Sequence, residues 1–450
     1  MEDTIVALAT PPGISGIAMV RISGKDAIRI ADSCFVSNKK IAESKSHTIL
    51  VGNIIYQNTV IDSLAALIFK NPHSFTGEDT VEFTCHGGYI ASEELIRVLK
   101  ELGARLAEPG EFTKRAFLNG KMDLTQVEAV ADIIHSISAP ACQISARQLS
   151  GGLSEQIHSF RKQLINILSL LELELDFAEE EIEFVDKSKI IDLIKNAREF
   201  CNNLANSFRS AQILRNGFYV AISGYPNSGK STLFNTLLKK KRSIVSDIPG
   251  TTRDYIEDTF YINQIPVKLI DTAGLRSSDD YVEIEGIKMA ELILKQADLN
   301  LIINDISISV KNSNKLYNEI KNKFPNSVTI LIQNKIDKIS FTDDLRKDGI
   351  CYISAKQGIG IKELVKMIEK EANRSIVQTN EYLINERQRD LLLRASDSLA
   401  LAETSAKGDF QNEIIAIDVR NAIKPLGELT GENWSEEVLN NIFSNFCIGK

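Results

Sequence analysis

No two of the six cysteines, Cys34, Cys85, Cys142, Cys201, Cys351 and Cys447, form a Cys-x-x-Cys pair, and their separations are long and irregular. That argues against a zinc ribbon or a disulfide framework and for a reducing compartment. No uninterrupted apolar run approaches about 18 residues, so no spanning helix is expected. The opening Met1-Glu2-Asp3-Thr4 carries neither the positive start nor the apolar core of a secretion signal. The expectation is a cytoplasmic protein with no membrane partner. Basic charge is not in excess: 52 Lys and Arg stand against 60 Asp and Glu, for a net charge of -8. Any nucleic-acid partner must therefore be met by a local patch. Internal repeats and low-complexity segments are absent.

What is present is an ordinary globular balance over 450 residues, 43% apolar and 25% charged. At roughly 150 residues per domain, about three domains are expected. Residues 1 to 118 mix short β-rich runs with turns. Thr4–Ala9, Ile17–Ile22, Leu64–Phe69 and Thr80–Cys85 read as strands, and Ala91–Leu102 as a helix ended by Gly103. This is an α+β pattern. From Leu124 through Ile144 apolar residues recur at helical spacing. After Gly151-Gly152, the stripe Leu153, Ile157, Phe160, Leu164, Ile167, Leu171 and Leu175 marks a second long helix. A third is predicted from Lys189 to Leu214. Glu179-Glu180-Glu181 reads as a solvated face or helix end, with a cation site as the alternative.

From Gly217 to Asn373 strands and helices alternate. Phe218–Ser223, Val267–Ile270, Leu299–Asn304, Val328–Gln333 and Cys351–Ile353 are short apolar runs of the buried-strand type. That predicts a doubly wound, mostly parallel sheet. Helical texture returns after Ile376, in Asn385–Glu403, Phe410–Ile423 and Ser435–Phe443. The expected architecture is multidomain, with an α+β N-terminal domain (1-118), an all-α helical domain (119-215 and 376-450) and an inserted α/β domain (216-375).

Gly224-Tyr225-Pro226-Asn227-Ser228-Gly229-Lys230-Ser231 satisfies G-x-x-x-x-G-K-[ST], between a predicted strand and the predicted helix Thr232–Leu238. Backbone N–H groups of such a loop close around phosphates, helped by the helix N-terminus. Lys230 would neutralise the β- and γ-phosphates and Ser231 would ligate Mg2+. Asp271-Thr272-Ala273-Gly274 follows the next strand: Asp271 can hold Mg2+ through a water, and Gly274 can turn an N–H to the γ-phosphate. Asn334-Lys335-Ile336-Asp337 follows another, and a carboxylate there accepts from the guanine N1 and N2 edge, which adenine lacks. Ser354-Ala355-Lys356 can close over the base. Each motif alone is weak. Four in order, each after a strand, indicate a guanine-nucleotide hydrolase fold binding GTP.

Asp247-Ile248-Pro249-Gly250-Thr251-Thr252-Arg253-Asp254 lies between the first two motifs. Thr252 is the candidate switch threonine that completes the Mg2+ shell. Ras-type proteins orient the attacking water with a glutamine just after the Asp-x-x-Gly motif. Here that position is Leu275, which can neither donate nor accept. Glu283, in the acidic Asp279–Glu285 segment, is a candidate to hold the water, the alternative being a solvated carboxylate. No arginine is placed as a finger in cis. Asn227 offers a neutral oxygen to a monovalent cation, and carbonyls around Ser246–Thr251 could complete a K+ shell.

Gly250-Thr251-Thr252-Arg253-Asp254 with Asp271-Thr272-Ala273-Gly274-Leu275-Arg276 resembles the TrmE-Era-EngA-like bacterial GTPases. Several further features narrow the resemblance to the MnmE (TrmE) family of tRNA uridine-5-carboxymethylaminomethyl modification GTPases. They are Ala9-Thr10-Pro11-Pro12-Gly13, Phe75-Thr76-Gly77-Glu78-Asp79, His86-Gly87-Gly88, Pro109-Gly110-Glu111-Phe112-Thr113 and the terminal Phe446-Cys447-Ile448-Gly449-Lys450. The resemblance covers essentially the whole chain. It implies a Ras-like G domain and an N-terminal domain that binds folate and dimerises. It implies modification of C5 of the tRNA wobble uridine with the FAD-dependent partner MnmG, in a heterotetramer. The one-carbon donor would be a tetrahydrofolate derivative, in its 5,10-methylene or 5-formyl form, and GTP hydrolysis would be K+-stimulated in a homodimer.

Position by position, the resemblance implies K+ ligation by Asn227, Ser246, Ile248 and Thr251, and Mg2+ ligation by Ser231 and Thr252. It implies nucleotide contacts across Asn227–Thr232, Ser246–Thr252, Asp271–Gly274 and the Asn334, Lys335, Asp337, Ser354, Ala355 and Lys356 group. Glu283 matches the catalytic glutamate, with Glu285 as a neighbour. The folate site maps to Arg21, Glu82, Lys121 and Lys450. Cys447 matches a cysteine that takes part in the modification chemistry; read from its apolar surroundings alone, it is a small buried hydrophobe. The competing class is a GTP-gated RNA-binding or ribosome-assembly factor without modification chemistry. A dynamin-like mechanical GTPase finds no amphipathic basic helix or lipid anchor in its support.

Overall fold

The computed structural model describes residues 3–176, 187–241, 257–271, 280–307, 310–325, 327–339, 346, 349–376, 381–408, 412–444 and 446–450. The Glu179-Glu180-Glu181 run lies outside them. The chain forms two compact units. One comprises Met1–Ala131, Gln148–Arg198 and Arg394–Lys450, the other Asp132–Arg147 and Glu199–Leu393.

The chain begins with β1 (Ile5–Leu8), β2 (Ile17–Ser23), α1 (Ala27–Asp32), β3 (Phe35–Ser37), β4 (Thr48–Tyr56), β5 (Thr59–Phe69), β6 (Thr80–His86), α2 (Tyr89–Glu101), β7 (Arg105–Leu106) and α3 (Glu111–Leu118). The strands form one sheet in the order β3-β4-β5-β6-β2-β1-β7, antiparallel except where β1 meets β7. Side chains alternate across a strand. Val20, Ile22, Val81, Phe83 and Cys85 therefore enter a core with Ile30, Leu95, Val98 and Leu99 from α1 and α2. The alternate positions of β2 and β6 carry Arg21 and Glu82, which the register sets directly opposite each other.

The helices α4 (Leu124–His135), α5 (Ala139–Leu149), α6 (Gly152–Asp176), α7 (Lys187–Asn206) and α8 (Phe208–Asn216) follow. The predicted single helix through Ile144 is broken. The Ser138 hydroxyl accepts from the Ala141 N–H at 3.2 Å, and Pro140 sits in the new helix's first turn, where its missing N–H costs nothing. The predicted Lys189–Leu214 helix breaks at Ser207, whose hydroxyl donates to the Leu204 carbonyl. On α6, Leu153, Ile157, Leu164, Ile167 and Leu171 are buried as the stripe requires, but Leu175 is exposed.

Next come β8 (Phe218–Gly224), α9 (Lys230–Lys241), β9 (Glu257–Ile262), β10 (Ile265–Asp271), α10 (Asp280–Gln296), β11 (Leu299–Asp305), α11 (Val310–Lys323), β12 (Val328–Asn334), β13 (Ile350–Tyr352) and α12 (Ile361–Ser375). The strand order is β13-β12-β11-β8-β10-β9, parallel throughout except for the edge strand β9. Both faces are covered. Val220, Ile222, Leu301 and Ile303 pack with Leu233, Leu364 and Ile368 on one side, while Ala221, Ile302 and Leu331 pack with Ile293 and Ile320 on the other. That is the doubly wound arrangement expected of the uninterrupted apolar runs. Such sheets present ligands at the carboxyl ends of their strands.

The last helices are α13 (Glu386–Lys407), α14 (Asn412–Thr430) and α15 (Glu436–Phe443). Helix α15 opens on Ser435, which caps the Val438 N–H. Leu439, Phe443 and Phe446 pack with Phe117, Leu124 and Val127, which carries the C-terminal segment onto α3 and α4. Among the described residues no helix is long and apolar enough to cross a membrane.

Candidate functional site

Strand β8 ends at Gly224 and helix α9 begins at Lys230, so the phosphate-loop motif is the turn between them. Gly229 has φ +99°, and a Cβ there would lie 2.3 Å from the Asn334 amide nitrogen. Only glycine permits that approach. Asn227 is left-handed as well, at φ +61°. The Lys230 ammonium folds over the loop and donates to the Gly224 and Tyr225 carbonyls at 3.0 Å each. The Ser231 hydroxyl donates to Oδ2 of the buried Asp271, at the end of β10, at 3.1 Å. The Ser231 hydroxyl and the Asp271 carboxylate are hard oxygen donors that could hold Mg2+, while the Lys230 ammonium and the helix N-terminus beside them suit phosphate.

Two further loops are fastened to this turn. The Asn334 amide donates to the Ser228 carbonyl at 2.9 Å and accepts from the Ala355 N–H at 3.0 Å. Lys335 donates to the Asn227 carbonyl at 2.6 Å and pairs with Asp305 at 2.7 Å. Burial opposes the charge on Asp305, but Lys335 and Ser307 outweigh it and hold the pKa at about 2. Asp337 is exposed, and one of its oxygens accepts from the buried Ser354 hydroxyl at 2.5 Å. That hydrogen bond keeps its pKa below the ordinary 3.8. Asp337 therefore presents a fixed anionic acceptor. Thr232 and Lys356 are exposed, and Thr236 of α9 donates to the Ala355 carbonyl. Ser228 is 1% exposed, and its hydroxyl has no partner among the described residues. The cleft over the loop measures about 840 Å³ and is lined by Asn227, Lys230, Ser231, Thr232 and Lys335 among others.

Ser246, Asp247, Ile248, Pro249, Gly250, Thr251, Thr252, Thr272, Ala273, Gly274 and Leu275 lie outside the described residues. Glu283 falls on helix α10, but its side chain lies outside them too, as does that of Glu285.

A second cluster lies on the N-terminal sheet. Arg21 Nε meets Glu82 Oε1 at 2.7 Å, with the side chains 12% and 13% exposed. The guanidinium carbon lies over the rings of Phe75 and Phe112, 5.5 and 5.4 Å from their centroids. Its Nη1 donates to the Gly449 carbonyl at 3.4 Å. The C-terminal tail comes this close because Gly449 has φ +97° and its absent Cβ would lie 2.2 Å from the Leu8 carbonyl. Burial, and then the Arg21 charge, push the Lys450 pKa below the ordinary 10.5, against the pull of Glu82 and Cys447. Arg21, Glu82 and Lys450 thus form one electrostatic group. Lys121 makes its hydrogen bond elsewhere, to the Pro72 carbonyl at 3.0 Å. Cys447 is exposed rather than a buried hydrophobe, and its carbonyl accepts from the Gly110 N–H.

Glu78 and Glu111 of the Phe75–Asp79 and Pro109–Thr113 motifs also join an ion network centred on the buried Arg115. Arg115, 1% exposed, reaches Glu78, Asp3 and Glu111, and Arg105 reaches Glu111 and Asp3. Burial opposes the charge on Glu111, but Arg105, the Glu108 N–H and Arg115 hold its pKa below 4.5. The sequence reading missed Arg115 and Asp305. Asp305 carried one usable signal, a carboxylate ending a fully buried parallel strand.

Two family models match the chain: the GTP-binding protein TrmE N-terminus over residues 4–121, and the MnmE helical domain over residues 124–447. The tRNA modification GTPase MnmE of Flavobacterium psychrophilum is 43% identical over 459 residues, covering 100% of this chain and 99% of that protein. The tRNA modification GTPase MnmE of Cytophaga hutchinsonii is 42% identical over 453 residues, covering 100% and 98%. Among solved structures, Aquifex aeolicus Era bound to GDP and aluminium fluoride is 31% identical with a TM-score of 0.29, covering 42% of this chain and 66% of that one.

Proposed function

The chain belongs to the MnmE family of tRNA modification GTPases, and from that premise we propose that it hydrolyses GTP to drive modification of C5 of the wobble uridine of tRNA. The observation that carries the reading is the double hydrogen bond of Asn334, to Ser228 and Ala355, which locks the base-reading loops onto the phosphate loop. Asp337 is left facing outward as an acceptor for the guanine edge.

In this reading Lys230 swings from the Gly224 and Tyr225 carbonyls to the β- and γ-phosphates. The Ser231 hydroxyl, now bonded to Asp271, would with Thr252 and, through a water, Asp271 hold Mg2+. Mg2+ neutralises phosphate charge when bound. Thr232, Lys335, Ser354, Ala355 and Lys356 hold the α-phosphate and the base. Asn227, Ser246, Ile248 and Thr251 would hold K+, whose charge would serve in place of a missing arginine finger. Glu283 positions the attacking water, since Leu275 cannot. Turnover is expected to rise on the order of tenfold or more in K+ over Na+; equal initial rates in matched chloride salts would remove the cation from the mechanism.

The N-terminal domain (1-118), with the tail ending in Lys450, binds a tetrahydrofolate derivative that supplies the one-carbon unit. Glu82 accepts from the pterin, while Arg21, Lys450 and Lys121 meet its carbonyl and glutamyl oxygens. This domain also joins two chains into a homodimer, and an FAD-dependent MnmG-like protein completes a heterotetramer with access to tRNA. The helical domain (119-215 and 376-450) carries the inserted G domain (216-375). Cys447, exposed beside Lys450, is available to the modification chemistry, and the location is cytoplasmic. Mass analysis of tRNA nucleosides from cells lacking the protein tests this function. C5-carboxymethylaminomethyl or aminomethyl uridines are expected to disappear and to return with the gene. An unchanged nucleoside profile would leave a GTP-gated RNA-binding factor as the better reading.

A further inference from the structure

We propose that Phe75 and Phe112 are positioning residues that hold the Arg21 guanidinium in one orientation for its ligand, an inference resting on the folate reading of that site. The two rings come from separate elements, Phe75 from the segment before β6 and Phe112 from the first turn of α3. Both place a ring face about 5.5 Å from the same guanidinium carbon. Phe112 is fully buried and cannot move without its core partners Ile5 and Ala7. Arginine spends its Nε on Glu82 and its Nη1 on the Gly449 carbonyl. Nη2 makes no hydrogen bond to a described residue, and neither does the second oxygen of Glu82.

The consequence is a donor edge and an acceptor oxygen held in fixed relation on neighbouring strands. That pair suits a planar ligand carrying an acceptor beside a donor. Nε is firmly anchored, but the Nη1 bond to the Gly449 carbonyl is long at 3.4 Å and restrains turning about the outer bond only weakly. The two rings beneath the cation restrict that turning, so less freedom is lost when the ligand binds. The same short segment sets the tail, because the Gly110 N–H donates to the Cys447 carbonyl two residues before Phe112, whose ring lies under the Arg21 guanidinium.

The test uses the full chain with 15N-labelled arginine and two variants at Phe75, which is only partly buried and so tolerates change better than Phe112. Phe75→Leu removes the ring and keeps an apolar side chain; Phe75→Tyr keeps the ring. Rotation about the Arg21 Cζ–Nε bond, read by NMR, is expected to be about tenfold faster in Phe75→Leu and unchanged in Phe75→Tyr. Equal rotation rates in wild type and Phe75→Leu would overturn the proposal whether or not folate binds. Calorimetric titration with 5-formyltetrahydrofolate is expected to show an affinity about tenfold weaker in Phe75→Leu, rescued in Phe75→Tyr, and no further loss when Phe75→Leu is added to Arg21→Ala. A full further loss in that background would mean Phe75 touches the ligand itself, which contradicts positioning. A wild-type chain that ignores 5-formyltetrahydrofolate would reject the folate reading while leaving the rotation result to decide the role of the rings.

Discussion

Asp337→Asn is expected to weaken GTP binding on the order of a thousandfold or more and to turn the site toward xanthosine triphosphate. Asp337 is exposed, anionic and fixed by the Ser354 hydroxyl at 2.5 Å. Guanine presents two donors, its N1–H and its 2-amino group, to a carboxylate that can accept both. Asparagine replaces one acceptor with an N–H, so donor meets donor at the amino group. Xanthine carries a carbonyl there and restores the match. A site built to hydrogen-bond one group discriminates strongly because the wrong partner leaves polar atoms unpaired. Ser354 can still donate to the asparagine carbonyl, so the loop should keep its shape. Titration with fluorescent GTP and XTP analogues checks this. Unchanged GTP affinity in the variant would mean that Asp337 does not read the base.

Arg115→Met is expected to lower stability by about 3 to 5 kcal/mol, the usual cost of removing one partner from a buried ion pair. Methionine fills much of the volume but leaves Glu111 and Glu78 facing a site without its cation. Arg105 still pairs with Glu111, so the lower end of that range is expected. Acid supplies the control. Glu111 and Asp3 have folded pKa values depressed below 4.5 and 3.8. Their contribution is complete above those ordinary values and is lost as pH falls through the depressed ones. Without Arg115 the depression shrinks, so less is lost on acidification. The stability gap between wild type and variant, measured by denaturant titration, should narrow from about pH 6 toward about pH 3. A gap constant over that range would place the loss in packing rather than charge.

The G domain was legible because its glycines and strand ends answer to short-range constraints. Gly229 is forced by the Asn334 amide against it, Asp271 and Asn334 end buried strands whose apolar runs announce themselves, and Ser354 comes just after another strand. What escaped was hidden for physical reasons. Strands β4 and β9 belong to tight hairpins whose turns, Gln57-Asn58 and Asn263-Gln264, adopt positive φ without glycine. The usual signal for such a turn is therefore missing. Arg115 lies 37 residues from Glu78 and 112 from Asp3, separations that no local pattern encodes. The pairing of Arg21 with Glu82 across 61 residues entered through family likeness, and the register of β2 on β6 supplies its physical basis. The same likeness grouped Lys121 with them, yet its ammonium bonds to Pro72.

The proposed nucleotide site consists of the phosphate loop, Lys230 and the Ser231–Asp271 oxygen pair, with Asp337 selecting the base. The most direct measurement is equilibrium binding of GTP to the purified full chain, with magnesium and with the magnesium chelated. Micromolar or tighter binding is expected with magnesium, with marked weakening without it and no competition from ATP. Absence of GTP binding with magnesium present, or equal competition by ATP, would contradict this site.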